Sequence, residues 1–277
     1  MAEGAPVRPY RGPLKAVIFD WAGTTVDYGS RAPAGVFVEV FKRRGVPITV
    51  EQARGPMGMH KRDHIAAILD LPAVAAMWRE LHGRAASHDD VQSMYEHLVP
   101  LQLACLRDYA DLIPGTLETV AHCRQRGLRI GSTTGYNRPM MDLLLEEARR
   151  RGYEPDCAVS VDEVPGGRPH PYMCLRAAIL LEAYPMEAIV KVGDTAPDIH
   201  EGLNAGMWTV GVAKTGNEIG LREDEVASLP AEELKARVSR AYERLRAAGA
   251  HYVIDGIGDL PPVLNTIEAW LRAGERP

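Results

Sequence analysis

Two aspartates stand where parallel strands would end. Asp20 follows the apolar run Ala16 to Phe19 and opens Asp20-Trp21-Ala22-Gly23-Thr24-Thr25, while Asp194 follows Ile189 to Val192 within Gly193-Asp194-Thr195-Ala196-Pro197-Asp198. A carboxylate at a strand tip before a Gly/Thr turn can act as a nucleophile beside backbone N–H groups that hold a phosphoryl oxygen. Two carboxylates converging on one sheet edge, with Asp198 opening the next helix, form a hard-oxygen site suited to Mg2+. A plainer reading stays open: Asp20 caps its turn, and Thr195 and Asp198 are helix-start residues. A third run ends in the hydroxyls of Ser132-Thr133-Thr134-Gly135, and Gly166-Gly167-Arg168-Pro169 holds a cation on a tight loop. A hydroxyl and a fixed positive charge are what a transferring phosphoryl group needs around it, although a lone loop arginine is ordinarily solvated.

A second group lies between these motifs. Pro56-Met57-Gly58-Met59-His60-Lys61-Arg62-Asp63-His64 places Lys61 and His64 three apart on one face of an expected helix. An amine beside an imidazole can form an imine with an acid/base partner close by. An exposed lysine is neutral only about once in a few thousand molecules at pH 7, so Lys61 needs desolvation or neighbouring cations to attack a carbonyl. Without those, Lys61, Arg62 and His64 are a solvated cluster on a helix face.

The elements that carry these residues alternate. Short apolar runs at Ala16 to Phe19, Leu128 to Gly131, Cys157 to Val161, Ile189 to Val192, Thr209 to Val212 and Tyr252 to Ile254 are each followed by a helical stretch. That pattern predicts a Rossmann-like parallel sheet covered on both faces, with ligands beyond the carboxyl ends of its strands. About a hundred residues separate the first two runs. They read as helices at Thr49 to Leu69, Ala73 to His82 and His88 to Tyr109. We therefore expect an α/β core of residues 1–29 and 108–277 and an inserted helical domain of residues 30–107 over the sheet edge. Ile113-Pro114-Gly115 marks the return to the core, and Ala231 to Ala248, behind Pro230, reads as a solvated surface helix.

Composition limits the classes of function. The 277 residues are 46% hydrophobic and 25% charged, and 32 Lys and Arg against 37 Asp and Glu leave a net charge of −5. This is a soluble globular profile without the basic surplus of a general nucleic-acid binder. No apolar run reaches membrane-spanning length, and the first residues lack the apolar stretch of a signal peptide, so the expectation is a cytoplasmic protein. Cys105, Cys123, Cys157 and Cys174 are widely spaced, which argues against a disulfide framework or a zinc site.

Taken in order, these strand-end residues resemble the haloacid dehalogenase superfamily of Mg2+-dependent phosphotransferases. The resemblance implies that Asp20 is the nucleophile, Thr134 the strand-end hydroxyl, Arg168 the cation (where many members have Lys) and Asp194 a metal-binding carboxylate. It also implies that the Ala22 carbonyl is a further metal ligand and that the helical insertion is a cap domain. Most phosphate-ester members carry a second Asp two residues after the nucleophile, which protonates the departing alkoxide. Here that position is Ala22, which disfavours an ordinary sugar or nucleotide phosphatase. With Lys61 in the insertion, DWAGTTVDYG, MGMHKRDH, GSTTGYNRPMMD, GRPHP, KVGDTAPD and NAGMWTVGV together resemble the phosphonatase branch.

That resemblance implies cleavage of the carbon–phosphorus bond of phosphonoacetaldehyde. It assigns the Schiff base to Lys61, proton transfer to His64 and the aspartyl-phosphate to Asp20, with Mg2+ held by Asp20, Asp194 and the Ala22 carbonyl. Thr134 and Arg168 would hold the phosphoryl group, and Asp198 would orient the metal shell. Met57 and Tyr136 read equally as pocket lining or as core. The branch has a cysteine in the loop after the nucleophile where this chain has Ser30. A homodimer is also implied, through apolar cap helices around Trp78. Two other readings remain: a phosphatase or phosphomutase acting on esters with its acid elsewhere, and a catalytically silent binding protein.

Overall fold

The computed structural model describes residues 9–277. Strand β1 (Ala16–Phe19) is followed by five helices: α1 (Arg31–Arg43), α2 (Val50–Arg54), α3 (Lys61–Leu69), α4 (Pro72–His82) and α5 (His88–Cys105). The chain then alternates through α6 (Thr116–Gln125), β2 (Arg129–Thr134), α7 (Arg138–Arg150), β3 (Cys157–Ser160), α8 (Tyr172–Leu180), β4 (Ile189–Gly193), α9 (Ala196–Asn204) and β5 (Trp208–Val212). It closes with α10 (Glu223–Ser228), α11 (Ala231–Ala247), β6 (Tyr252–Ile254) and α12 (Leu260–Ala273).

The six strands form one parallel sheet in the order β3-β2-β1-β4-β5-β6. β1 and β4 are buried along their whole length, as strands covered on both faces must be. The chain winds outward from β1 through β2 to β3, then returns to lay β4 on the other side of β1. That reversal opens a crevice at the carboxyl ends of β1 and β4, where an open α/β sheet takes its ligand. Phe19 pairs with both Ser132 and Val192, so Asp20, Thr133 and Gly193 fall on one level at the sheet edge.

The helices between β1 and β2 do not make a separate core. Phe19 and Val192 of the sheet belong to the same apolar cluster as Phe37, Ile65, Trp78, Met94 and Leu98. Trp78 is 1% exposed. The Trp78 indole therefore packs within the chain.

Several boundaries also differ from expectation. The single helix read over Thr49 to Leu69 is two, because α2 ends at Arg54 and α3 starts at Lys61. Between them Pro56 supplies no amide donor and Gly58 adopts φ +92°, which a helix interior cannot hold. Helix α5 stops at Cys105, and a short 3-10 turn covers Leu106–Tyr109. Strand β2 runs to Thr134, so the hydroxyl residues lie inside it. Helix α11 is largely solvated but buries Ala241 and Leu245. All four cysteines are free thiols.

Candidate active site

A small cavity of about 30 Å3 lies at the switch between β1 and β4. Its lining includes Asp20 and Ala22 after β1, Thr134 and Tyr136 at the end of β2, Arg168, and Asp194 after β4. Ser30, Met57, Gly58 and Lys61 close it from the segment between β1 and β2. Eight of the expected site residues thus meet in one place. Asp198 adjoins the cavity without lining it, and His64 is outside the lining.

Arg168 organises the sheet side. Its Nη2 donates to Asp20 Oδ1 at 2.7 Å and to the Thr133 carbonyl at 2.9 Å, and its Nε donates to Glu201 Oε2 at 2.9 Å. Nη1 lies 3.1 Å from Asp198 Oδ1 and donates to the Gly58 carbonyl at 3.4 Å. Lys191, fully buried in the middle of β4, lies 2.9 Å from Asp198 Oδ1 and 3.4 Å from Glu201 Oε2. It also donates to Thr133 Oγ1 at 3.0 Å. Burial alone would lower the pKa of both cations, but Asp198 and Glu201 outweigh it and hold both above their ordinary values. Removing one member of such a network leaves an uncompensated buried charge.

The carboxylates divide into two kinds. Burial would raise Asp198, yet Arg168 and Lys191 pull it below the usual carboxylate range. Its other oxygen accepts from Thr195 Oγ1 at 2.5 Å. Asp198 is therefore an anion committed to its neighbours. Asp20 and Asp194 are raised, chiefly by burial; Asp198 adds to the shift of Asp20, and Asp20 and then Asp198 add to that of Asp194. Asp194 Oδ2 accepts from the Asn217 amide at 2.7 Å, while its Oδ1 is buried without a partner.

Oxygens of Asp20, Asp194 and Asp198 lie within 4.8 Å of one another. An orphaned carboxylate oxygen, two carboxylates raised by burial and by neighbouring carboxylates, and an all-oxygen donor set fit a hard divalent cation. The backbone is shaped to let Asp194 in. Gly23 has φ +84°, and a Cβ there would stand 2.1 Å from Asp194 Oδ2.

The amine side is built differently. Lys61 is the first residue of α3 and only 5% exposed. Among the described residues its Nζ has no carboxylate partner; it lies 4.9 Å from the Tyr136 ring centroid and 5.5 Å from that of Phe37. Burial pushes its pKa down to about 8, with Arg168 adding to the shift and Asp20 opposing it. About a tenth of the amine is then neutral at pH 7, against about one in a few thousand for an exposed lysine.

His64 stacks on Phe37 with ring centroids 3.8 Å apart and lies 2.7 Å through Nε2 from the Ala53 carbonyl. A carbonyl can only accept, so Nε2 carries the proton and Nδ1, which has no partner, is the free base. Burial and the nearby Lys61 push its pKa down to about 3, so the ring is neutral at working pH.

Thr134 Oγ1 accepts from the Tyr136 amide at 3.2 Å, leaving its own proton available to a phosphoryl oxygen. Tyr136 is buried with its hydroxyl unpartnered, and burial holds that hydroxyl well above its ordinary pKa, hence neutral. Lys191 and Glu201 escaped sequence reasoning, and Thr133 was read only as one of a run of strand-end hydroxyls. A lysine inside the apolar run Ile189-Val190-Lys191-Val192 was the available signal, because a buried strand admits a charge only when something pairs with it.

Residues 14–206 match the haloacid dehalogenase-like hydrolase family. A phosphonoacetaldehyde hydrolase of Syntrophobacter fumaroxidans is 50% identical over 270 residues, 98% of each chain. Another, from Bacillus cytotoxicus, is 49% identical over 255 residues, covering 92% of this chain and 97% of that one. The crystal structure of a phosphonoacetaldehyde hydrolase-like protein from Oleispira antarctica superposes with a TM-score of 0.96 at 40% identity over the full length of both chains. The chain belongs to the haloacid dehalogenase-like hydrolases, and within them to the phosphonoacetaldehyde hydrolase family.

Proposed function

We propose that this enzyme cleaves the carbon–phosphorus bond of phosphonoacetaldehyde to acetaldehyde and phosphate, with Lys61 as the imine-forming amine and Asp20 as the nucleophile. One observation carries the reading. A buried amine with a pKa of about 8 and no carboxylate partner lines the same cavity as Asp20, and Ala22 stands where a leaving-group acid would be. Attack at phosphorus would otherwise expel a carbanion. Condensation of Lys61 with the aldehyde supplies an electron sink, so carbon departs as an enamine and needs no acid at position 22.

The residues then have distinct tasks. Lys61 Nζ adds to the aldehyde carbon and water is lost, while His64 Nδ1, the free base, shuttles the protons. Asp20 attacks phosphorus; the C–P bonding pair moves to carbon, giving an enamine on Lys61 and a phosphoryl group on Asp20. Protonation and hydrolysis of the enamine release acetaldehyde and restore Lys61. A second water frees phosphate from Asp20. Arg168 Nη2, already on Asp20 Oδ1, and the Thr134 hydroxyl orient the phosphoryl oxygens. Asp20, Asp194 and the Ala22 carbonyl would hold Mg2+, which offsets negative charge on those oxygens. Asp198 fixes the surrounding cations, and Met57 and Tyr136 shield the amine from water.

Residues 30–107 act in this reading as a cap domain over the core of residues 1–29 and 108–277. The cavity has room for about two water molecules, so the cap is seated here and lifts to admit substrate. The family expectations of a homodimer and a cytoplasmic location belong to the same proposal; among the described residues no helix is long and apolar enough to cross a membrane.

The test is incubation with phosphonoacetaldehyde and Mg2+, following acetaldehyde and phosphate together, beside a panel of sugar and nucleotide phosphates. Equal release of both products from the phosphonate, with little turnover of the esters, supports the reading. Ester hydrolysis with an intact phosphonate refutes it.

A further inference from the structure

Arg54, the last residue of α2, reaches from the helical segment onto the core. Its Nη1 donates to the Gly29 carbonyl at 2.9 Å, Asn217 Oδ1 at 3.1 Å, the Ser30 carbonyl at 3.3 Å and the Asn217 carbonyl at 3.4 Å. Nη2 donates to the Gly220 carbonyl at 3.0 Å, and Asn217 Nδ2 donates back to the Arg54 carbonyl at 3.4 Å. Each acceptor of the guanidinium is a carbonyl or amide oxygen. Burying a cation is costly; Asp27, Asp194 and Glu218 favour its charge from a distance, and only the planar fork of arginine spans so many acceptors at once. The receiving loop is shaped for it: Gly220 has φ +69°, and a Cβ there would lie 2.6 Å from Arg54 Cζ.

Three segments meet at this fork. The first is Gly29–Ser30, the left-handed linker between the nucleophile loop and α1. The second is the end of α2, which leads through Met57 and Gly58 to Lys61. The third is the loop after β5, where Thr215 Oγ1 donates to the Gly23 carbonyl at 3.2 Å and the Asn217 amide holds Asp194 Oδ2 at 2.7 Å. Arg54 therefore stands two hydrogen bonds from the carboxylate whose other oxygen is orphaned.

We propose that Arg54 is a positioning residue that makes the orientation of Asp194 depend on the seating of the helical segment, acting through Asn217. With the segment down, the fork clamps Asn217 and the Asn217 amide pins Asp194 Oδ2, leaving Oδ1 to face a cation. As the segment lifts, Arg54 leaves with α2 and Asn217 is released. This rests on Asp194 being a metal carboxylate. Another contact between segment and core, Asn137 Nδ2 donating to Tyr95 Oη at 3.2 Å, leads to the start of α7 and to none of Asp20, Asp194 and Asp198, so it serves as the control.

The experiment is calorimetric titration of Mg2+, without substrate, into the wild type, Arg54→Lys, Asn217→Ala, their double variant, Tyr95→Phe and Asp194→Asn, each checked for native circular dichroism. Arg54→Lys and Asn217→Ala should each weaken Mg2+ binding about tenfold, and the double variant also about tenfold rather than about a hundredfold, because both lie on one path. Tyr95→Phe should bind as the wild type does, and Asp194→Asn should bind no Mg2+. Wild-type affinity in both Arg54→Lys and Asn217→Ala, or multiplying effects in the double variant, overturns the proposal. Unchanged affinity in Asp194→Asn overturns it from the other side, by removing the metal reading beneath it.

Discussion

At the sheet edge Arg168 and Lys191 divide Asp20, Asp198 and Glu201 between them at 2.7 to 3.4 Å, whereas Lys61, about as deeply buried, faces two aromatic rings and no carboxylate. The consequence is opposite pKa directions for lysines in one protein: Lys191 is held above its ordinary value and Lys61 falls to about 8. Pairing keeps a cation charged and fixed in place, and desolvation without pairing makes it a nucleophile. In the proposed reaction the core holds the phosphoryl group and the helical segment supplies the reactive amine, so that neither region alone would break a carbon–phosphorus bond.

The largest expected effect is a split between activity and stability at the amine. Lys61→Met should reduce phosphate release from phosphonoacetaldehyde below detection while raising stability at pH 7 by roughly 1–3 kcal/mol, since burying the ammonium costs free energy. The folded pKa of about 8 lies below the unfolded value of about 10.4. The folded chain therefore binds fewer protons between those values, and wild-type stability rises with pH across that window. The advantage of Lys61→Met should shrink accordingly as pH approaches 10, which thermal unfolding at several pH values will show. A variant less stable than the wild type at pH 7 would break the contrast.

Arg168→Met should behave in the opposite way. It strands Asp20, Asp198 and Glu201, with Lys191 as the remaining cation among them, and should cost about 3–5 kcal/mol of stability as well as activity. Denaturant unfolding measures this, and a loss below about 1 kcal/mol would mean that the network is slack.

A smaller effect concerns pH. Because the neutral amine reacts, the rate of borohydride trapping with substrate should climb about tenfold per pH unit below 8 and level off above it. A profile rising instead toward pH 10 would place Lys61 in water.

The smallest effect is thermal. Mg2+ at a hundredfold excess over its Kd should stabilise the wild type by about 2.7 kcal/mol, and Asp194→Asn should lose that increment. An equal shift in both proteins would move the ion elsewhere.

Much of this was legible in the chain because it is periodic or local. All six strands were readable from apolar runs, and Asp20, Thr134 and Asp194 follow from their places near strand ends. Lys61 was visible beside His64, but its buried setting was not, since Phe37 and Tyr136 come to it from distant segments. The break between α2 and α3 was signalled by Gly55-Pro56 and Gly58 and was overridden by the apolar period on either side. Arg54, Asn217 and Glu201 gave no local signal. Their meaning lies in oxygen atoms supplied by other segments, and a linear sequence does not display those contacts.

The central claim is that Lys61 carries the substrate as an imine before Asp20 breaks the carbon–phosphorus bond. Asp20→Ala, incubated with phosphonoacetaldehyde and borohydride and then digested for mass spectrometry, tests this directly. The account predicts one reduced adduct, on Lys61, with its phosphorus retained. An unmodified Lys61, or an adduct that has already lost phosphorus, would contradict it.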